Sequence, residues 1–388
     1  MVGAGTASQN TNICLQVLGS YDAVNTAHSV TAGDFNEDGH TDVAVVAHRP
    51  KVPSQGLVVM LGNGTGAFTP FQRLPVGDHN HGVITADLDG DGHLDIVTNA
   101  DQATNPTTVT NAEHVFFGDG TGRFPRHDVY KIDVNFGPLD AQAADVNKDG
   151  FLDLILAGAA QYSLGVMLND GMGKFSAPTF WGQGTFSSRS SAIADFNRDG
   201  HLDVAVTKEY RGRVEVYYGD GRGRFPTSKT FSTDVGPRTV ITADLDRDGN
   251  MDLAVTNRLS STVSILFGDG RGNFARAISI KVGLDPRTIQ AGDFNRDGHL
   301  DLAAVGSLSQ TVSFLYGNGQ RVFSTPHDMR VGDAPVRGRK FRPNKDSEQA
   351  GDGLVGLVAC DVDANGDMDL VVSSTYDGKV YTLMNHCP

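Results

Sequence analysis

The chain has 388 residues, a formal charge of −14, three cysteines and 8 % aromatic residues. No apolar run approaches the ~20 residues of a membrane-spanning helix, so no membrane span is expected. The acidic balance, with no stacking platform or nucleic-acid motif, argues against nucleic acid as a partner.

The sequence opens MVGAGTASQN, which reads as a start left after removal of a leader. A strand-like run, Cys14-Leu15-Gln16-Val17-Leu18, comes next. A nine-residue pattern, Asp-x-(Asp/Asn)-x-(Asp/Asn)-Gly-x-x-Asp, then begins at Asp34 and returns at Asp87, Asp145, Asp195, Asp244, Asp293 and Asp361. The intervals are 53, 58, 50, 49, 49 and 68 residues. Short apolar runs such as Val240-Ile241-Thr242-Ala243 precede the copies, and β-prone runs such as Asp252-Leu253-Ala254-Val255-Thr256 follow them. Each copy therefore joins two strands, A and B. A third strand C, as in Thr262-Val263-Ser264-Ile265-Leu266-Phe267, leads to a glycine-rich turn ending in Phe. These turns read GNGTGAF (62–68), GDGTGRF (118–124), NDGMGKF (169–175), GDGRGRF (219–225), GDGRGNF (268–274) and the degraded GNGQRVF (317–323). The Phe anchors a fourth strand D, such as Ala275-Arg276-Ala277-Ile278-Ser279-Ile280. Four strands in each ~50-residue unit predict an all-β, seven-bladed β-propeller of four-stranded blades, one domain over residues 1–388.

The first, third, fifth and ninth positions of each copy carry side-chain oxygens, and the seventh offers a backbone carbonyl. Calcium takes six to eight oxygens at about 2.3–2.6 Å, whereas magnesium demands a tighter octahedron and keeps its waters. The candidate ligands of the loop at 34–42 are Asp34, Asn36, Asp38, Asp42 and the His40 carbonyl; of 87–95, Asp87, Asp89, Asp91, Asp95 and His93. The loop at 145–153 offers Asp145, Asn147, Asp149, Asp153 and Phe151, and that at 195–203 offers Asp195, Asn197, Asp199, Asp203 and His201. The loop at 244–252 offers Asp244, Asp246, Asp248, Asp252 and Asn250, and that at 293–301 offers Asp293, Asn295, Asp297, Asp301 and His299. The last, 361–369, offers Asp361, Asp363, Asn365, Asp369 and Asp367, and departs most from the pattern. Asp/Asn-Gly turns also form without metal, but so many carboxylates in nine residues repel one another without a cation. Up to seven Ca²⁺ are expected, a charge that would offset the −14 of the chain. The spacing matches the first half of an EF-hand loop without its twelfth-position Glu.

With these loops and turns the chain resembles the FG-GAP/VCBS repeat proteins, seven-bladed propellers related to the integrin α-subunit head. The resemblance implies the fold and the calcium sites but no activity. The last unit ends after its third strand, Lys379-Val380-Tyr381-Thr382-Leu383-Met384, and the run at Cys14–Leu18 is expected to supply the missing fourth. Aligning the repeats brings Cys387 beside Cys14, which predicts a Cys14–Cys387 disulfide. Cys360 stands where other units have Ala or Gly and reads as a small buried residue. A disulfide and many calcium loops imply an oxidising, calcium-rich location, secreted or at the cell surface, and a monomer is expected. Asn63-Gly64-Thr65 is a formal glycosylation sequon.

The face opposite the calcium loops is the usual ligand side of integrin-like propellers, and the resemblance places a partner there. Six residues upstream of each first loop Asp stand His28, His81, Leu139, Arg189, Arg238, Arg287 and Val355. The ligand-binding candidates are His28, His81, Arg189, Arg238 and Arg287, suited to carboxylate or sulfate groups; a family preference for Pro-Arg-Thr at strand entries explains the arginines as well. His79 and His81 offer a His-x-His pair for a transition metal or acid–base chemistry, or a solvated pair. Further candidates are the irregular segments 43–58 (with His48), 99–114 and the basic insertion 326–353. Trp181, Tyr162, Tyr210 and Tyr376 are the aromatic residues considered for sugar contact. Three functions stay open: a binding module for carbohydrate or an extracellular protein; a lyase acting on an acidic glycan, with His81 or Tyr210 as base; or a structural or adhesive head of a larger surface assembly. No catalytic motif is visible.

Overall fold

The computed structural model describes residues 15–48, 56–77, 79–100, 111–133, 135–183, 187–332 and 353–386. Each repeat forms one four-stranded antiparallel sheet, and seven such sheets stand in a ring with their A strands innermost. The A strands run Ala27–Gly33, Asn80–Ala86, Pro138–Ala144, Ser191–Ala194, Pro237–Ala243, Pro286–Gly292 and Leu354–Cys360. Each B strand starts at the ninth loop residue, as in Asp42–Ala47 and Asp252–Asn257, and all six of its residues are buried in every blade. Sheets packed on both faces explain why these strands read as continuous apolar runs rather than as an alternation. The outermost strands alternate instead, as in Arg126–Ile132, because one face meets water.

The apolar cores lie between blades. Val46, Leu57 and Val59 of the first blade pack with Val83, Ile96 and Phe116 of the second. The Phe that ends each glycine turn joins these cores, Phe68, Phe124, Phe175 and Phe225 being buried. Each such side chain contributes roughly 1.5–3 kcal/mol through burial.

The ring closes as the repeat count requires. Leu15–Asp22 pairs antiparallel with Lys379–Asn385, Leu15 opposite Asn385 and Asp22 opposite Lys379, with a bulge between Val17 and Gly19. The N-terminal strand is thus the D strand of the last blade. Cys14 and Cys387 lie outside the described residues. Cys360 ends the last A strand, where burial and the nearby Asp369 and Asp361 push its thiol up to about 12. The insertion is shorter than the interval 326–353, because His327–Arg330 is the D strand of the sixth blade, paired with Thr311–Leu315. Trp181 lies in a D strand and packs edge-on against Phe225, with ring centroids 5.5 Å apart. Among the described residues the one helical turn is the 3-10 turn Glu209–Arg211, and no helix is long and apolar enough to cross a membrane.

Candidate functional site

The A–B loops share one geometry. The first Asp accepts a hydrogen bond from the sixth-position Gly: Gly39 N to Asp34 Oδ2 at 2.8 Å, Gly200 N to Asp195 Oδ2 at 2.8 Å, and likewise in the other five. The fifth side chain accepts from the seventh N–H, as from His40 to Asp38 at 2.9 Å. The sixth residue has a positive φ, +85° at Gly39 and +93° at Gly92, with open space where a Cβ would stand at Gly39, Gly92, Gly150 and Gly366. Backbone conformation, not crowding, therefore demands glycine there.

The ninth Asp does a second job. It is fully buried, and its two oxygens accept backbone N–H bonds from the loop and from the start of the glycine turn. Asp252 takes Leu245 N at 2.9 Å and Gly268 N at 2.8 Å, and all seven copies repeat this clip. Burial, opposed by those bonds and reinforced by neighbouring loop carboxylates, pushes Asp95, Asp203, Asp252 and Asp301 to about 7 and Asp42, Asp153 and Asp369 to about 6.

The donor set fits a hard cation. Asp87, Asp89 and Asp95 bring carboxylate oxygens within 4.8 Å of one another, as do Asp244, Asp246 and Asp248, and Asp361, Asp363 and Asp369. These are the three copies with Asp at the third position; the other four carry Asn there. Asp89 Oδ1 and Asp244 Oδ1 are buried without a hydrogen-bond partner, the condition a bound cation relieves. In the fifth loop Arg321 from the neighbouring blade bridges Asp246 and also meets Asp248 at 2.9 Å, so a protein cation shares that site.

At the opposite end of the A strands the seven entry residues His28, His81, Leu139, Arg189, Arg238, Arg287 and Val355 line one central cavity of about 810 Å³. Hydrogen bonds from blade to blade hold this rim. Thr207 Oγ1 donates to Arg238 O (3.2 Å), Thr256 Oγ1 to Arg287 O (2.9 Å), Thr288 Oγ1 to Val355 O (2.7 Å) and Ser373 Oγ to His28 O (3.0 Å).

The arginines are not an all-cationic ring. Glu209 meets Arg189 Nε at 2.8 Å and Arg258 at 2.9 Å; Asp285 meets Arg258 Nε at 3.2 Å and Arg287 at 2.9 Å. Burial raises Glu209, but Arg189, Arg238 and Arg258 outweigh it and hold it at about 2. Asp285 is lowered in the same way: burial raises it, and Arg287, Arg258 and Arg238 bring it down. Four guanidinium groups thus meet two carboxylates. Around the ring, burial raises Asp140 to about 6, and Ser191 N donates to it at 2.9 Å. Glu113 is raised well above its usual range by burial and by Asp140.

Glu209, Arg258 and His48 share a register that the strand-entry reading overlooks: each stands six residues after the ninth loop Asp. A second count along the repeat finds them. Tyr210, the alternative to His81 as base, is 72 % exposed and does not line the cavity, whereas His81 does. Tyr376 is also exposed, whereas Tyr162 stacks on Phe180. Much of the three irregular segments, 49–55, 101–110 and 333–352, lies outside the described residues.

No curated protein sequence matches the chain. Among solved structures, BBS1N in complex with ARL6DN aligns with a TM-score of 0.62 and 10 % identity, covering 96 % of this chain and 97 % of that one. An Agrocybe aegerita lectin described as recognising non-reducing terminal N-acetylglucosamine aligns with a TM-score of 0.53 and 18 % identity over 79 % of this chain and 80 % of its own. The Pseudomonas aeruginosa periplasmic gluconolactonase PpgL gives 0.59 and 17 % identity over 79 % and 86 %. Such identities describe a shared fold. The FG-GAP-like repeat model matches residues 34–98, 145–206, 195–255 and 252–304, more than half of the sequence, so the chain belongs to the FG-GAP repeat family.

Proposed function

We propose that the protein is a calcium-stabilised propeller, secreted or displayed at a cell surface, that binds an anionic carbohydrate at its central mouth. One observation carries the reading: His28, His81, Arg189, Arg238 and Arg287 converge on a single 810 Å³ cavity beside a cluster with more guanidinium than carboxylate groups. Guanidinium forks suit carboxylate and sulfate groups, and the blade-to-blade bonds keep them oriented. The lectin and the gluconolactonase among the structural neighbours support a sugar; the BBS1N complex with ARL6DN is the neighbour that would favour a protein partner. In the A–B loops calcium would be held by the first, third, fifth and ninth side chains, and it would neutralise their mutual repulsion.

The test is retention of the calcium-loaded protein on acidic and neutral polysaccharides, repeated with Arg238→Gln. The account expects retention on acidic glycans only, weakened about tenfold or more by the substitution, measured at a temperature where a melt shows the variant still folded. Equal retention of both proteins would remove the mouth from the account.

A second reading rests on the imidazoles of His28 and His81, which line the cavity together with Arg238 and Arg287. That arrangement suits a lyase on a uronate: an imidazole takes the proton α to the carboxylate, a guanidinium stabilises the charge that develops, the electron pair forms a double bond to the β carbon, and the bond from that carbon to the leaving sugar oxygen breaks, the oxygen taking a proton from water. Unsaturated uronides released in the same retention assay would establish it.

A further inference from the structure

We propose that His28, His48 and His81 form a binding site for a divalent transition metal, with zinc as the occupant that fits best. Their ligand nitrogens all lie within 4.8 Å of one another, and the three residues are 9 %, 3 % and 7 % exposed. They come from separate segments of two blades: the first A strand, the end of the first B strand and the second A strand. The ring centroids stand 5.1 Å apart for His28–His48, 5.7 Å for His28–His81 and 4.8 Å for His48–His81. His79, the other half of the His-x-His pair, packs edge-on against His48 and stays outside the group of three.

The hydrogen bonds set the rings for coordination. His28 Nδ1 lies 2.9 Å from His81 O, and His48 Nδ1 lies 3.2 Å from Asn80 O. A carbonyl oxygen only accepts, so both Nδ1 atoms carry a proton, and in the neutral ring each Nε2 carries the lone pair. Metal-binding histidines use this arrangement, donating the second nitrogen to a carbonyl that fixes tautomer and orientation. The backbone beneath is fixed too. Ser373 Oγ donates to His28 O (3.0 Å), His48 N donates to Thr26 O (3.1 Å), and Asn99 Oδ1 accepts from His81 N (3.1 Å).

Ligand chemistry separates this site from the loops. Their donors are hard oxygens, which suit calcium; three imidazoles suit zinc, copper, nickel or cobalt. Because His28 and His81 also line the central cavity, a metal held by three nitrogens keeps a coordination position facing it. Three protein ligands with one open position is the pattern of reactive rather than purely structural zinc sites. Metal coordination and a free imidazole base are exclusive uses of His28 and His81, so the experiment below also bears on the lyase reading. The metal site itself does not depend on any glycan being bound.

The experiment uses the full chain, stripped with chelator, reloaded with excess Ca²⁺ and titrated calorimetrically with Zn²⁺. A parallel titration with Co²⁺ is followed by visible absorption. One equivalent of zinc is expected to bind in the presence of calcium, and Co²⁺ to give the intense bands of a low-coordinate nitrogen site. His48→Ala and His81→Gln should each weaken zinc about 100-fold or more, whereas His127→Ala, on an outer strand, should leave it unchanged. In the wild-type protein, zinc should shift the imidazole proton resonances of three histidines, a readout that needs no variant to fold. Absence of stoichiometric zinc binding to the wild-type chain, or binding that both cluster variants retain, would overturn the proposal.

Discussion

On the face formed by the A–B loops, seven copies repeat one set of hydrogen bonds down to the atom; on the opposite face, the residue that opens each A strand changes from blade to blade. The first pattern follows from what every blade needs. A loop of nine residues must turn, join strands A and B, and hold the next glycine turn, and the buried ninth Asp ties the last two together. The second face has no such shared duty. There His28, His81, Leu139, Arg189, Arg238, Arg287 and Val355 occupy equivalent positions with unlike chemistry. Uniformity marks the scaffold, and departure from it marks the region free to specialise.

This contrast is open to attack at several points. The largest effect is expected within the cationic cluster. Glu209→Ala takes the carboxylate from partly buried Arg189 and one of two carboxylates from buried Arg258, and should cost about 3–5 kcal/mol, read by denaturant unfolding. A loss below ~1 kcal/mol would mean that the cluster contributes little to the fold. Asp252→Ala attacks the other face. It removes the acceptor of two buried N–H groups and should cost about 2–4 kcal/mol with calcium withheld, separating the clip from any metal ligation. If Asp252→Ala destabilises only when calcium is present, the clip is not the residue's main role.

In metal-free protein the seven ninth-position Asp residues hold their protons up to about 6–7 when folded, against about 4 when unfolded. The folded state therefore binds more protons between those values, and its stability falls as pH rises through that window. The melting temperature in chelator should be higher at pH 5 than at pH 7.5, by roughly 5 °C or more. Excess calcium should reduce or reverse that difference. A flat profile in chelator would show that these carboxyls are not held protonated by burial.

The smallest effect is a gain. The fourth loop residue has a positive φ in every copy, but only the second copy places glycine there, at Gly90. Lys148 adopts +64° without that freedom. Lys148→Gly should therefore stabilise by about 1 kcal/mol, visible as a small rise in denaturation midpoint. No gain, or a loss, would place the Lys148 side chain in a stabilising role of its own.

The repeat made most of the scaffold legible. Motif spacing accounts for the blade count, the closing strand and the repeated loop geometry, because one physical demand recurs seven times. The strand-entry register also gathered His28, His81 and the three arginines correctly, since a period fixes which residues share a rim. What stayed hidden was the counter-charge. Glu209 and Asp285 belong to other registers, and no count along a single strand shows that they pair with the rim arginines and with Arg258. The histidine group was hidden for the same reason: His48 and His81 are 33 residues apart and meet only when two blades pack. Strand D of the sixth blade, His327–Arg330, lies inside the stretch that reads as an insertion, because the degraded turn 317–323 weakens the signal that normally announces the strand.

One thermal-melt comparison tests the division of labour most directly. Wild-type protein and Arg238→Gln would be melted side by side in excess calcium and in excess chelator. The account predicts a large, equal drop in melting temperature for both proteins on removing calcium, because several linked sites stabilise the folded state by mass action. An unchanged wild-type melt in chelator would contradict calcium as the support of the repeated face.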